Sequence, residues 1–93
     1  MVMQRFVIER EIPGIGSMSA AELCGAARVS NQALSELAPL VQWDHSYVAA
    51  NKTFCVYLAQ DEDAVLAHAA KSGFPANKIT LISTMIDPTT ANV

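Results

Sequence analysis

Residues 41–60 read VQWDHSYVAANKTFCVYLAQ and decide the fold. They contain two strand-like runs, Val41 to Ala49 and Lys52 to Gln60, in which β-branched and aromatic side chains are frequent. Only Ala50-Asn51 separates the two runs, and a connection this short forces an antiparallel hairpin. The remaining elements are therefore arranged around this hairpin.

A strand and a helix precede the hairpin. Residues 4–12 alternate with a period of two, which predicts a half-buried strand whose apolar face carries Phe6, Ile8 and Ile12. The segment Ser19-Ala-Ala-Glu22 is a capping box, so a helix should begin there. Pro39 cannot continue a helix and marks its end.

A second helix and a fourth strand follow the hairpin. Asp61 is a typical N-cap residue, and Gly73 stands where a left-handed C-terminal residue belongs. The run from Ile79 to Ile86 is rich in β-branched residues and closes at Asp87-Pro88, which predicts the last strand.

The element order predicts an α+β fold, with residues 1–93 forming a single domain. Strand, helix, strand, strand, helix, strand with short links gives a ferredoxin-like βαββαβ sandwich, in which two helices cover one face of a four-stranded antiparallel sheet. The alternative is the same unit merged into a dimeric α+β barrel. A small domain gains burial when a second copy covers its open sheet face, so we expect a homodimer through that face.

Composition limits the other partners. The chain has a net charge of −3 and its basic residues form no cluster, so nucleic acid is not an expected partner. No apolar run reaches the roughly 20 residues that span a bilayer, and the N-terminal sequence lacks a secretory signal pattern. We therefore expect a cytoplasmic protein without a membrane segment, with Cys24 and Cys55 as free thiols.

The hairpin register predicts which side chains face the helices. Residues opposite each other in an antiparallel pair point the same way, so His45 accompanies Val56. If Val56 belongs to the core, His45 also points towards the helices and Cys55 lies on the open face. Glu9 alternates with Phe6 and Ile8 along its strand, so its side chain should point to the open face. This prediction places Glu9 and His45 on opposite sides of the sheet.

Two histidines suggest a metal site. His45 and His68 both have the potential to reach the layer between helix and sheet, where their imidazoles could bind nickel, copper or zinc, with Glu9 or the Cys55 thiolate completing the site. The alternative is that both are half-buried histidines satisfied by a carbonyl or a hydroxyl. No H-x-x-H, H-E-x-x-H or C-x-x-C spacing is present to decide between them.

Two motifs are specific, W-x-H-S-Y-V at residues 43–48 and H-x-x-x-x-G-F-P at residues 68–75. Together with the segments around them, they resemble a bacterial family of small domains that includes a nickel-binding protein with a dimeric ferredoxin-like fold, and the similarity covers nearly the whole chain. The resemblance implies that fold, a homodimer and nickel binding. Within its motifs, the positions with suitable donor atoms are Glu9, His45, Cys55 and His68.

Two further functions compete with metal binding. One is a small-molecule isomerase or cofactor-free oxygenase of the dimeric α+β barrel kind, with its ligand in a pocket between sheet and helices. The other is a non-catalytic dimeric regulatory module. The sequence assigns no catalytic residue and indicates no organic cofactor.

Overall fold

The structure is a computed structural model that describes residues 2–92. Its main elements along the chain are β1 (Gln4–Glu11), α1 (Ala20–Leu37), β2 (Val41–Val48), β3 (Lys52–Ala59), α2 (Glu62–Ser72) and β4 (Lys78–Ile82). Two short 3-10 helices lie at Ile15–Ser17 and Pro88–Asn92. The strands form one antiparallel sheet in the order β2-β3-β1-β4. The predicted ferredoxin-like arrangement is confirmed.

Both helices begin at the predicted residues. The Ser19 Oγ accepts the Glu22 backbone N–H at 3.2 Å, and the Glu22 carboxylate accepts the Ser19 N–H at 3.0 Å, which completes the capping box. The Asp61 side chain caps α2 by accepting the Ala64 N–H at 2.9 Å. Gly73 ends α2 with a φ of 79°, in the left-handed region that favours glycine. No helix within residues 2–92 has the length and apolar character needed to cross a membrane.

The last strand is shorter than the sequence predicts. Strand β4 ends at Ile82, which pairs with Arg5, whereas the β-branched run continues to Ile86. Within residues 2–92, β4 pairs with β1 alone, and because β1 begins at Gln4, at most one residue beyond Ile82 would have a partner in that strand. Ile86 is accordingly 78% exposed.

The core lies between the helices and one face of the sheet. In β3, Tyr57 pairs with Phe6 and Cys55 pairs with Ile8, and all four side chains are buried. The core cluster also contains residues of the other elements, namely Val41, Ala59, Ala64 and Val65. The opposite side of the sheet, which we name the open face, carries Arg5, Val7, Glu9, Phe54, Val56 and Leu58.

The prediction for the inward face of β3 was wrong. Val56 faces outward opposite Val7, whereas Cys55 points towards the helices. A β-bulge between Trp43 and His45 leaves Asp44 without a partner in β3. Trp43 pairs with Tyr57 and faces the helices. His45 pairs with Val56, the adjacent residue of β3, and therefore lies on the open face. The prediction that His45 lies between the helices and the sheet was wrong.

The connection between β1 and α1 docks on the β2–β3 hairpin. The Gly16 N–H donates to the Ala50 carbonyl at 3.0 Å, and the Gly14 N–H donates to the Asn51 side chain at 3.0 Å. A Cβ on Gly16 would lie 2.6 Å from the Ala49 carbonyl oxygen and 2.8 Å from the Ala50 Cα. Because both are backbone atoms, this contact admits only glycine.

Helix α2 buries a histidine in the core. The His68 side chain is fully buried, its ring lies 5.1 Å from that of Tyr57, and its Nε2 is 3.2 Å from the Ser30 hydroxyl. Its Nδ1 is also buried and has no hydrogen-bond partner within residues 2–92. Burial, and to a lesser extent the nearby charge of Arg10, lowers the pKa of His68, so the ring is neutral at pH 7.

The Gly16→Ala variant should be less stable, because the added Cβ pushes the β1–α1 connection away from the β2–β3 hairpin. We expect the free energy of unfolding to fall by about 1–3 kcal/mol, measured by urea denaturation. Gly25→Ala is the matched control: it lies within α1, and a Cβ added there would meet no atom within 4 Å. That variant should gain about 0.5–1 kcal/mol. Equal stability of the two variants would contradict the docking contact.

Stability should decrease as the pH falls from about 7 to 5. An unfolded histidine binds a proton near pH 6.5, whereas the folded state resists protonation of His68, so acid favours the unfolded chain. Urea titrations at pH 7.5 and 5.0 measure this difference. His68→Gln should make it smaller, and an undiminished difference in that variant would show that another group is responsible.

Candidate functional site

The open face carries an exposed imidazole that is oriented by a carboxylate. The Nδ1 of His45 lies 2.9 Å from the Asp44 Oδ2, and the side chain of His45 is 45% exposed. Because a carboxylate only accepts hydrogen bonds, Nδ1 carries the proton and donates it. The lone pair of the neutral ring then resides on Nε2, which has no hydrogen-bond partner among the described residues. Tyr47 supports the ring edge-on, with ring centroids 5.1 Å apart.

Asp44 is held in its ionised form. The hydrogen bond from the His45 ring lowers the pKa of Asp44, and the Arg5 guanidinium, which donates at 3.2 Å, adds to this effect. Arg5 belongs to β1 and reaches across β3 to make this contact. The β-bulge therefore places an ionised carboxylate beside the imidazole, where it fixes the tautomer of the ring.

Glu9 lies on the same face as His45, and the prediction that they occupy opposite sides was wrong. Its carboxylate accepts a hydrogen bond from the Lys52 ammonium at 3.1 Å. Glu9 belongs to β1 and His45 to β2, with β3 between them. Their strands are therefore two spacings apart, which is about 10 Å in total. Within a single chain, the Glu9 carboxylate pairs with Lys52 instead of His45.

Cys55 and His68 lie on the other side of the sheet. Cys55 is buried, with its Sγ 3.4 Å from the Thr53 Oγ1, and His68 is enclosed between α2, α1 and β3. The four candidate ligands are thus divided into two on each face. Over residues 2–92, no three side chains of His, Cys, Asp or Glu are grouped so that they could hold a metal ion.

A cavity of about 340 Å³ lies between α1 and the inward face of the sheet. Small side chains on α1 leave this space, namely Ala26, Ala27 and Ser30. Its walls are mostly apolar, and Leu23 and Trp43 stand on opposite sides of it. The docked 3-10 helix contributes the buried Ile15. The sandwich is therefore not solidly packed.

The cavity contains a buried charge that sequence analysis missed. Arg10 is only 2% exposed, donates to the Pro75 carbonyl at 2.7 Å and lies 3.5 Å from the Tyr57 hydroxyl. No carboxylate of the described residues pairs with it. The alternation of β1 could have predicted it, because Arg10 is two residues after Ile8 and its side chain therefore points to the same, inward side of the sheet.

Comparison with known proteins agrees with this architecture. The crystal structure of SCO4226 from Streptomyces coelicolor A3(2) matches with a TM-score of 0.73, covering 88% of this chain and 99% of that chain at 14% sequence identity. At this identity the likeness shows the fold. None of the curated proteins shows a significant match to the sequence. Residues 6–82 match the family described as "nickel responsive protein SCO4226-like". The chain therefore belongs to the SCO4226-like family of nickel responsive proteins.

Proposed function

We propose that this chain is a cytoplasmic nickel-binding protein whose metal site is built around His45 and is completed by a second copy. The Asp44–His45 pair on the open face is the observation that carries the proposal. The family description, which names nickel responsiveness, supports the choice of metal.

The chemistry of the pair suits a late transition metal. Imidazole nitrogen is a preferred ligand of nickel, copper and zinc. Metal-bound histidines usually donate the N–H of their second ring nitrogen to a carboxylate, a backbone carbonyl or water, which fixes the tautomer and raises the basicity of the ligand. Asp44 has that position relative to His45, and the free Nε2 is the atom that would bind the metal.

A second copy supplies the ligands that one chain lacks. The chain has two histidines, and His68 is enclosed on the other side of the sheet, so one chain offers a single imidazole on this face. A two-fold contact places the same patch of both copies together and supplies a second His45. Glu9 is the carboxylate on the same face that could join the site from the partner.

The open face also has the composition of a protein interface. Apolar side chains occupy its centre, with Val7 opposite Val56, and Tyr47 stands out from it with 63% of its surface exposed. Aromatic residues of this kind are enriched at interfaces. Covering this face would bury apolar surface that a small monomer leaves in water.

Binding rather than catalysis is the function that the rest of the chain supports. None of the described residues that line the interlayer cavity is Asp, Glu or His, the side chains that most often act as a general base, and its titratable groups are Arg10, Cys55 and Tyr57. Both cysteines are free, which agrees with a reducing compartment such as the cytoplasm.

Metal-free protein should bind nickel, and the affinity should depend on the Asp44–His45 pair. His45→Ala removes the ligand atom, and Asp44→Asn removes the carboxylate that orients it, a change that typically costs about 10–100-fold in affinity. Calorimetric titration with Ni²⁺, Cu²⁺ and Zn²⁺ measures both effects.

His68→Gln is the matched control, because it removes the other imidazole without changing the open face. Its nickel affinity should equal that of the unmodified protein. Wild-type nickel affinity in His45→Ala, or loss of binding only in His68→Gln, would reject the open-face site.

The protein should be a dimer, and a charge on the open face should separate the two copies. Sedimentation equilibrium should give a mass twice that of the 10.0 kDa chain. In the Tyr47→Glu variant the measured mass should fall to that of a single chain, because the dimer interface would bury an unpaired carboxylate. Leu66→Glu is the control, since this exposed residue lies on α2, away from the open face. Dissociation in the control alone would assign the interface to the helical side.

A further inference from the structure

The interlayer cavity contains a cation that no carboxylate of residues 2–92 pairs with. Arg10 is almost completely buried, yet no carboxylate of residues 2–92 lies within ion-pair distance. A buried charge is costly unless it is paired and hydrogen-bonded. A guanidinium also has five N–H donors, and among residues 2–92 only two groups accept hydrogen bonds from it, the Pro75 carbonyl and, more weakly, the Tyr57 hydroxyl.

The guanidinium of Arg10 is fixed in position by two aromatic rings and a backbone carbonyl. Its central carbon lies 5.9 Å from the ring centroids of both Tyr57 and Phe74, and the Pro75 carbonyl accepts a short hydrogen bond of 2.7 Å. Because the cation is already positioned by these contacts, an incoming anion does not have to order it.

Hydroxyl groups near Arg10 supply further hydrogen-bond donors. Burial raises the pKa of Tyr57, so its hydroxyl keeps its proton and can donate. Ser30 and Thr53 add hydroxyl groups to the cavity wall. With no acidic side chain in that wall, the electrostatic environment favours a negative ligand over a positive one.

The remaining wall selects an apolar body of limited size. The apolar side chains include Ile12, Met18, Leu23 and Trp43. The volume of about 340 Å³ is at the small end of the roughly 300–1,000 Å³ typical of ligand sites. A single cation matches a single negative charge, which favours a monocarboxylate over phosphate or a dicarboxylate. Val48, 46% exposed, places the rim of the cavity at the edge strand β2.

From these observations we propose that the interlayer cavity binds a small monocarboxylate with an apolar body, whose carboxylate pairs with Arg10 and accepts a hydrogen bond from Tyr57. This site lies on the opposite side of the sheet from His45 and requires no metal. It assigns to the chain a small-molecule ligand in addition to nickel.

The tryptophan provides a direct measurement. Trp43 is the only tryptophan of the chain and lines the cavity, so its fluorescence reports on occupancy. Metal-free protein is titrated with hexanoate and phenylacetate, and in parallel with hexanamide and phenylacetamide, which have nearly the same shape without the charge. Calorimetry under the same conditions provides the affinities. The carboxylates should give a saturable change and bind at least tenfold more tightly than the amides.

Four variants locate the anion. Arg10→Met keeps most of the side-chain volume and should weaken carboxylate binding at least tenfold, whereas Arg28→Met, an exposed arginine of α1, should leave it unchanged. Tyr57→Phe keeps the ring and should weaken binding severalfold, which provides a second test if Arg10→Met does not fold. His45→Ala should bind carboxylates normally, so failure of the nickel site and failure of this site are distinguishable.

Three results with the carboxylates and amides would overturn the proposal. They are equal affinity for carboxylates and amides, no response of Trp43 or of the calorimeter to any of these compounds, and retention of wild-type affinity in a folded Arg10→Met variant. Tighter binding of inorganic phosphate than of either carboxylate would also reject the monocarboxylate as the ligand class.

Discussion

The β-bulge at Asp44 is the constraint on which both candidate sites depend. In a regular strand, Trp43 and His45 would point to the same side of the sheet. The extra residue changes the parity between them, so Trp43 faces the helices while His45 faces outward beside Asp44. Ser46 returns to the inward side, where its hydroxyl accepts a hydrogen bond from the Trp43 ring nitrogen at 2.9 Å. One inserted residue thus supplies the exposed imidazole and the aromatic wall of the cavity together.

A second constraint is the cation inside the sandwich. Arg10 occupies an inward position between Ile8 and Ile12, where an apolar side chain would ordinarily complete the core. Its charge contributes to keeping His68 neutral, and small residues on α1 leave the guanidinium next to open space. The fold therefore tolerates a polar interlayer at one end, while Val65 packs tightly elsewhere in the core.

The sequence predicted the elements well because their signals are local. The capping box at Ser19 and the C-terminal Gly73 depend only on neighbouring residues, and both lie where expected. The faces of β2 and β3 were less predictable, because β3 is apolar or aromatic on both sides and the bulge beside His45 has no clear sequence pattern. Arg10 could have been found, since strand parity alone directs it inward. A charged residue on the otherwise apolar inward face of a strand is a better indication of a site than an isolated histidine.

The two sites can function together because they use alternate residues of the same strands. Val56 pairs with His45 and lies beside it on the open face, whereas Cys55 and Tyr57, its neighbours in β3, face the cavity. A second copy covering the open face would therefore contact none of the inward-facing side chains, and the cavity rim at Val48 lies on the helical side of the edge strand. The sheet therefore separates the two sites, because successive side chains of the same strands face the proposed metal site on one side and the proposed small-molecule site on the other.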